Sequence, residues 1–151
     1  MSAPVWLEDF AAGQVREFGN YVVTAEEIID FAQRYDPQPF HTDPATARDS
    51  FFGELVASGW HTAAITMRLL ADGALPLAGG AIGAGGEIRW PAPTRPGDAL
   101  TAESVIEEVT PSRSRPDRGM VRVRTETRNQ KGEVVQVLVT KVLAFRRPRQ
   151  S

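Results

Sequence analysis

In the C-terminal half of the chain apolar and polar side chains change places at every residue. Val121, Val123, Thr125 and Thr127 alternate with Arg122, Arg124, Glu126 and Arg128, the period-two pattern of a strand with one face covered and one in water. Strands are predicted over 99–109, 120–129 and 133–146, with Lys131-Gly132 joining the last two as a hairpin. Earlier strands are predicted over 16–23, where β-branched and aromatic residues cluster, and over 87–90, between a glycine-rich run and Pro91. Helical spacing appears in two places. Ile28, Phe31, Ala32 and Tyr35 form one stripe that begins at Thr24, a capping residue with Glu27 three positions on, and ends before Pro37. A second helix runs from Ser58 to about Gly73. In it Trp60, Ala63, Ala64, Ile65, Met67, Leu69 and Leu70 leave little polar face, so it needs covering on most sides. Between the two, Asp43-Pro44 starts a short connecting helix. A run of antiparallel strands with one greasy helix is an α+β domain, built most economically by curling the sheet around that helix.

Composition narrows the function classes. The 151 residues and 42% hydrophobic content suit one domain, 1–151, with a core that needs no covalent staples. A net charge of -2, from 17 basic and 19 acidic residues, gives no electrostatic case for nucleic-acid or membrane partners. The chain has no cysteine and two histidines, which removes thiolate chemistry and makes a poor metal inventory. The first ten residues lack the basic start and apolar run of a secretory signal, and no apolar stretch is long enough to span a bilayer, so the expected location is the cytoplasm.

The chemistry concentrates in Asp36-Pro37-Gln38-Pro39-Phe40-His41. Each proline fixes its own φ, removes a backbone donor and biases its predecessor away from the helical region, so the segment is expected to be a stiff, bent, exposed loop and not a further helical turn. A bend is the way to aim a carboxylate and an imidazole five residues apart at one small molecule. The imidazole ordinarily titrates near neutrality and the carboxylate is an acceptor, a combination suited to positioning a water and exchanging its protons.

Other features weigh less. His61 lies inside the apolar helix and is read as a satisfied, partly buried histidine, outside the site. Ser58 has no Gly-x-Ser-x-Gly setting, so helix capping is preferred to nucleophilic attack. Gly80, Gly83, Gly85 and Gly86 have the wrong spacing for a dinucleotide loop and precede a strand. Phe40, Phe52 and Trp60 are candidates for lining an acyl channel, against core filling. Arg113, Arg115 and Arg118 are candidates for meeting phosphates, with a solvated loop the favoured reading.

The segment 35–44, with Asp-x-x-Pro-x-His at a helix end, followed by Ala57-Ser58-Gly59-Trp60 and by 90–98, Trp-Pro-Ala-Pro-Thr-Arg-Pro-Gly-Asp, resembles the MaoC-like dehydratases, among them the R-specific enoyl-CoA hydratases. The resemblance runs from about Phe10 to Phe145. It implies a hot-dog fold, a homodimer whose two sheets join, and addition of water to, or its removal from, an acyl thioester of coenzyme A. No cofactor is implied beyond the coenzyme A that the substrate carries. Asp36 and His41 fall on the family's catalytic pair, and Gly59 on the glycine whose N–H holds the thioester carbonyl. Gln38 stands where many members carry Asn, and Ser58 where hydratases often carry His. Two alternatives stay open: a hot-dog thioesterase, since one fold hosts both reactions, and a non-catalytic acyl-CoA binding module.

Overall fold

The structure is a computed structural model and describes residues 3–73 and 77–149. Five antiparallel strands form one sheet in the order β1-β3-β4-β5-β2, with β1 Val15–Val22, β2 Ile82–Arg89, β3 Ala99–Pro111, β4 Arg118–Arg128 and β5 Val134–Phe145. Four helices, α1 Ala25–Tyr35, α2 Pro39–Thr42, α3 Pro44–Ala47 and α4 Gly59–Gly73, fall between β1 and β2. The sheet curls around α4, which packs against β1, β3 and β5, so the described residues form one α+β unit with the expected hot-dog arrangement.

Local signals set most of the boundaries. The Thr24 hydroxyl accepts from the Glu27 N–H at 3.2 Å and starts α1, while the Asp43 carboxylate accepts from the Ala45 N–H at 3.0 Å and starts α3. Asn129 closes the β4–β5 hairpin by accepting from the N–H groups of Lys131 and Glu133 at 3.0 and 3.1 Å. Two expectations need correction. The glycine-rich run is not a prelude to a short strand but part of β2, which begins at Ile82. Gly86 has to be glycine there, because a Cβ would collide with the carbonyl oxygen of Val139 on the neighbouring strand. The segment after Asp36 is also less open than expected. Pro39 opens the one-turn helix α2 at its first position, where no N–H is needed, and His41 lies buried within that turn.

α4 departs from its sequence pattern in an informative way. Ile65 joins the core with Ile28, Val23, Leu100 and Val135, and Leu69 packs with Phe18 and Ala102, but the buried side of the helix also carries His61, Thr62 and Thr66. Its two most exposed large apolar side chains, Trp60 at 60% and Met67 at 50%, face away from that core. Within one chain, therefore, the helix is not covered on most sides. The buried threonines are satisfied by a polar lane: Thr62 to Thr94 at 3.0 Å, Thr66 to Thr127 at 2.6 Å, and the Gln136 amide donating to Thr66 at 3.1 Å. Pairing of this kind is what permits polar groups in a core.

Candidate active site

α1 ends at Tyr35, and Asp36 caps it with its N–H donating to the Ala32 carbonyl at 2.8 Å. Pro37 forbids a further turn, the chain bends, and α2 returns His41 toward the carboxylate. His41 Nε2 then lies 3.5 Å from Asp36 Oδ2. His41 Nδ1 is 2.7 Å from the carbonyl oxygen of Val56, which only accepts, so Nδ1 carries the proton. In the neutral ring Nε2 is consequently a lone-pair acceptor. Two acceptors face each other across a gap that a proton or the two hydrogens of a water can bridge. The Phe40 ring meets the imidazole edge-to-face at 4.6 Å between centroids and meets Phe52 edge-to-face in turn, which helps hold the ring in its orientation.

Ser58 is fully buried and donates to Asp36 Oδ2 at 2.7 Å, while its oxygen accepts from the Trp60 N–H at 3.3 Å. It caps α4 and orients the carboxylate, and with its hydroxyl so engaged it is not a free donor for a ligand. Gly59, the first residue of α4, has no intrahelical acceptor for its N–H, and no other acceptor meets that N–H among the described residues. A Cβ would sit 2.6 Å from Trp90 Cε2, so the missing side chain makes room for an indole that is itself fixed by its Nε1–H donating to Gln136 at 3.0 Å.

Asp36, His41, Ser58, Gly59 and Phe40 are thus gathered around one corner. Gln38 is exposed, its backbone carbonyl accepting from the His41 N–H and its side chain making no bond among the described residues. The Trp60 ring turns out toward solvent against the Trp90 edge. Arg118 pairs with Phe145 in the sheet register, at the opposite end of β4 from Arg128, roughly 33 Å away at strand rise. It binds Asp117 and lies over the Phe145 ring, so within one chain this loop does not reach the corner.

His61 also requires correction. The ring is 4% exposed and stacks on Phe31 at 4.6 Å, with Nε2 3.5 Å from Glu27 Oε2, but Nδ1 has no partner. It is buried and unsatisfied. Tyr21 donates to the other oxygen of Glu27, and that bond raises the Tyr21 pKa and keeps the hydroxyl protonated. Burial lowers the His61 pKa below its ordinary 6.5, against a smaller opposing pull from Glu27. The unfolded chain takes up a proton near 6.5 while the folded chain resists it, so this group leaves stability intact above that pH and erodes it below. The unfolding free energy from urea titrations is expected to fall between pH 7.5 and 5.5 more than that of His61→Leu, by no more than about 1.4 kcal/mol per pH unit. Equal falls would refute the assignment. In the sequence only the isolation of an ionisable residue on an apolar helix hinted at this cluster, and nothing pointed to the Val56 carbonyl, which is a backbone atom.

The family model described as MaoC like domain matches residues 9–130. The chain belongs to that family. A MaoC-like dehydratase from Rhodospirillum rubrum, known by its crystal structure, is 55% identical and superposes with a TM-score of 0.93 over 96% of this chain and 99% of that one. The unliganded R-hydratase PhaJ1 from Pseudomonas aeruginosa is 26% identical, with a TM-score of 0.77 over 98% of this chain and 96% of that one. The protein YdeM of Bacillus subtilis is 31% identical over 128 residues, 83% of this chain and 88% of its own. These likenesses support a hydratase-type function.

Proposed function

We propose that the protein is a hydro-lyase that adds water to a 2-enoyl-CoA, or removes it from a 3-hydroxyacyl-CoA, at the Asp36–His41 pair. The observation that carries this reading is the pair itself: an Nε2 lone pair, fixed by the Nδ1–H to Val56 contact, facing a carboxylate at 3.5 Å. A water in that gap donates one hydrogen to each group. One member of the pair removes a proton as the water oxygen bonds to the β carbon, and a proton passes from the pair to the α carbon as the enolate collapses, so the elements of one water are added in full. Negative charge that develops on the thioester oxygen is met by the Gly59 N–H at the positive end of α4.

Incubation with 2-enoyl-CoA esters, following loss of the conjugated absorbance and appearance of free thiol in parallel, tests this. Absorbance is expected to fall with no thiol release. Thiol release would establish a thioesterase instead, and saturable binding with neither signal a non-catalytic module.

The same reading includes a homodimer. β2 is an outer strand of the sheet and is exposed along nearly its whole length, and Ile82, Trp90, Trp60 and Met67 are exposed apolar side chains on β2, just beyond it and on α4. An unpaired edge with apolar neighbours is the surface a second copy covers by continuing the sheet. Light scattering is expected to give twice the chain mass, and a monomeric mass at micromolar concentration would dismiss this part of the reading.

A further inference from the structure

The two helices that carry the site are tied together at two points. At the first, the Ser58 hydroxyl donates to Asp36 Oδ2 at 2.7 Å and joins the start of α4 to the end of α1. At the second, one turn on in α4, the His61 ring stacks on Phe31 at 4.6 Å with the planes 7° apart, and its Nε2 comes to 3.5 Å from Glu27 Oε2. Gly59 lies between the two in the chain, and the His61 N–H donates to the Ser58 carbonyl at 3.0 Å, so both points belong to one turn. Tyr21 on β1 binds the other oxygen of Glu27, which extends the second tie to the sheet. Proton transfer at Asp36 and His41 uses no atom of Glu27 or of His61.

The second tie costs stability. Glu27 Oε2 and His61 Nδ1 are buried without hydrogen bonds, whereas an apolar pair of similar volume would leave nothing unpaired. Ile28 and Ile65 already join the two helices through the core, but apolar contact is non-directional. A ring stack with a polar approach beside it fixes direction as well as distance. Without it the first turn of α4 can swing about the single Ser58–Asp36 bond, and the Gly59 N–H swings with it. A conjugated enoyl thioester is planar and stiff, so its carbonyl oxygen and β carbon can meet Gly59 and the Asp36–His41 pair together only if the two helix ends keep a fixed spacing. On the hydro-lyase reading above, we propose that Glu27 and His61 are positioning residues, a clasp between α1 and α4 that sets the Gly59 N–H and the Asp36 carboxylate relative to each other for the reaction.

The test measures steady-state hydration of a 2-enoyl-CoA, urea unfolding and proton NMR of the histidine rings for the wild type, Glu27→Gln and the double variant Glu27→Leu/His61→Phe. The double variant keeps a ring on Phe31 and removes both unpaired groups. Its kcat is expected to fall about 10- to 100-fold with KM within about threefold, the effect of a small misplacement at the reacting atoms. Its urea midpoint should be unchanged or higher, because no unpaired polar atom is left behind. His41 is then the only histidine, and its ring resonances should move, since Asp36 lies 3.5 Å from Nε2. Glu27→Gln, whose amide can donate to a neutral Nε2, should keep kcat within about threefold of the wild type. Wild-type kcat and unmoved His41 resonances in the double variant would overturn the proposal, and so would Glu27→Gln as slow as the double variant. A fall in kcat matched by a lowered urea midpoint would reduce the pair to a fold-supporting role and overturn it as well. His61→Phe alone is read in the same way if the double variant does not fold. If the wild type hydrates no enoyl ester, the hydro-lyase reading falls and the His41 resonances alone decide the clasp.

Discussion

His41→Ala and Asp36→Asn are each expected to slow hydration of a 2-enoyl-CoA by about 100- to 10,000-fold, the contribution of a positioned proton-transfer group. The two variants test different parts of the pair. Asparagine can still accept from the Ser58 hydroxyl, which is 2.7 Å from Asp36 Oδ2, so the loop keeps its support and only the charge and basicity go. Alanine at position 41 removes Nε2 and also leaves the buried Val56 carbonyl without its donor, at a stability cost of about 1–3 kcal/mol. Because both groups act on one water, the double variant should be little slower than the worse single one. The loss should appear in kcat, with KM changed less. Either single variant retaining a rate within about threefold of the wild type would remove that residue from the proton transfer.

Gly59→Ala carries the second large effect, through packing. The new methyl would lie 2.6 Å from Trp90 Cε2 and 2.7 Å from Cδ2, inside van der Waals contact with the indole face. The ring cannot retreat cheaply, because its Nε1–H is held by the fully buried Gln136, which is tied through Thr66 to Thr127. The first turn of α4 must move instead, and with it the Gly59 N–H and the Ser58 hydroxyl that orients Asp36. Overpacking of this kind costs about 1–3 kcal/mol. For a chain of this size each kcal/mol lowers the thermal midpoint by about 2–4 °C. A shift of about 1 Å at a catalytic centre is worth about 100-fold in rate. Turnover should therefore fall by about that factor, while the thermal midpoint falls by several degrees. A variant with wild-type melting and turnover would show that the indole is not fixed where the network of Gln136 implies.

The fold was largely legible because its signals are local. Alternation in β4, the Thr24 cap and the Lys131-Gly132 hairpin depend on a few neighbouring residues, and all appear at or near the expected places. The glycine run was misread because glycine is a poor strand former taken alone. Its fitness for β2 comes from the Val139 carbonyl across the ladder, which lies 53 residues from Gly86 in the chain. For the site, the Asp36 and His41 spacing with two prolines was visible along the chain, whereas burial of the imidazole was not. The imidazole is held there by the Val56 carbonyl and the Phe40 ring.

Residue order sufficed for the period-two strands, the caps, the proline break after α1 and the pairing of an acid with an imidazole on one short segment, since each follows from sterics and hydrogen bonding within a few residues. Only the folded chain decided which way those groups point. The Val56 carbonyl chooses the tautomer of His41, Ser58 turns Asp36 toward it, Trp90 demands a glycine at the tip of α4, and Glu27 meets His61 across two helices. These contacts join residues from different elements, and their energies exist only once apolar burial has brought those elements together.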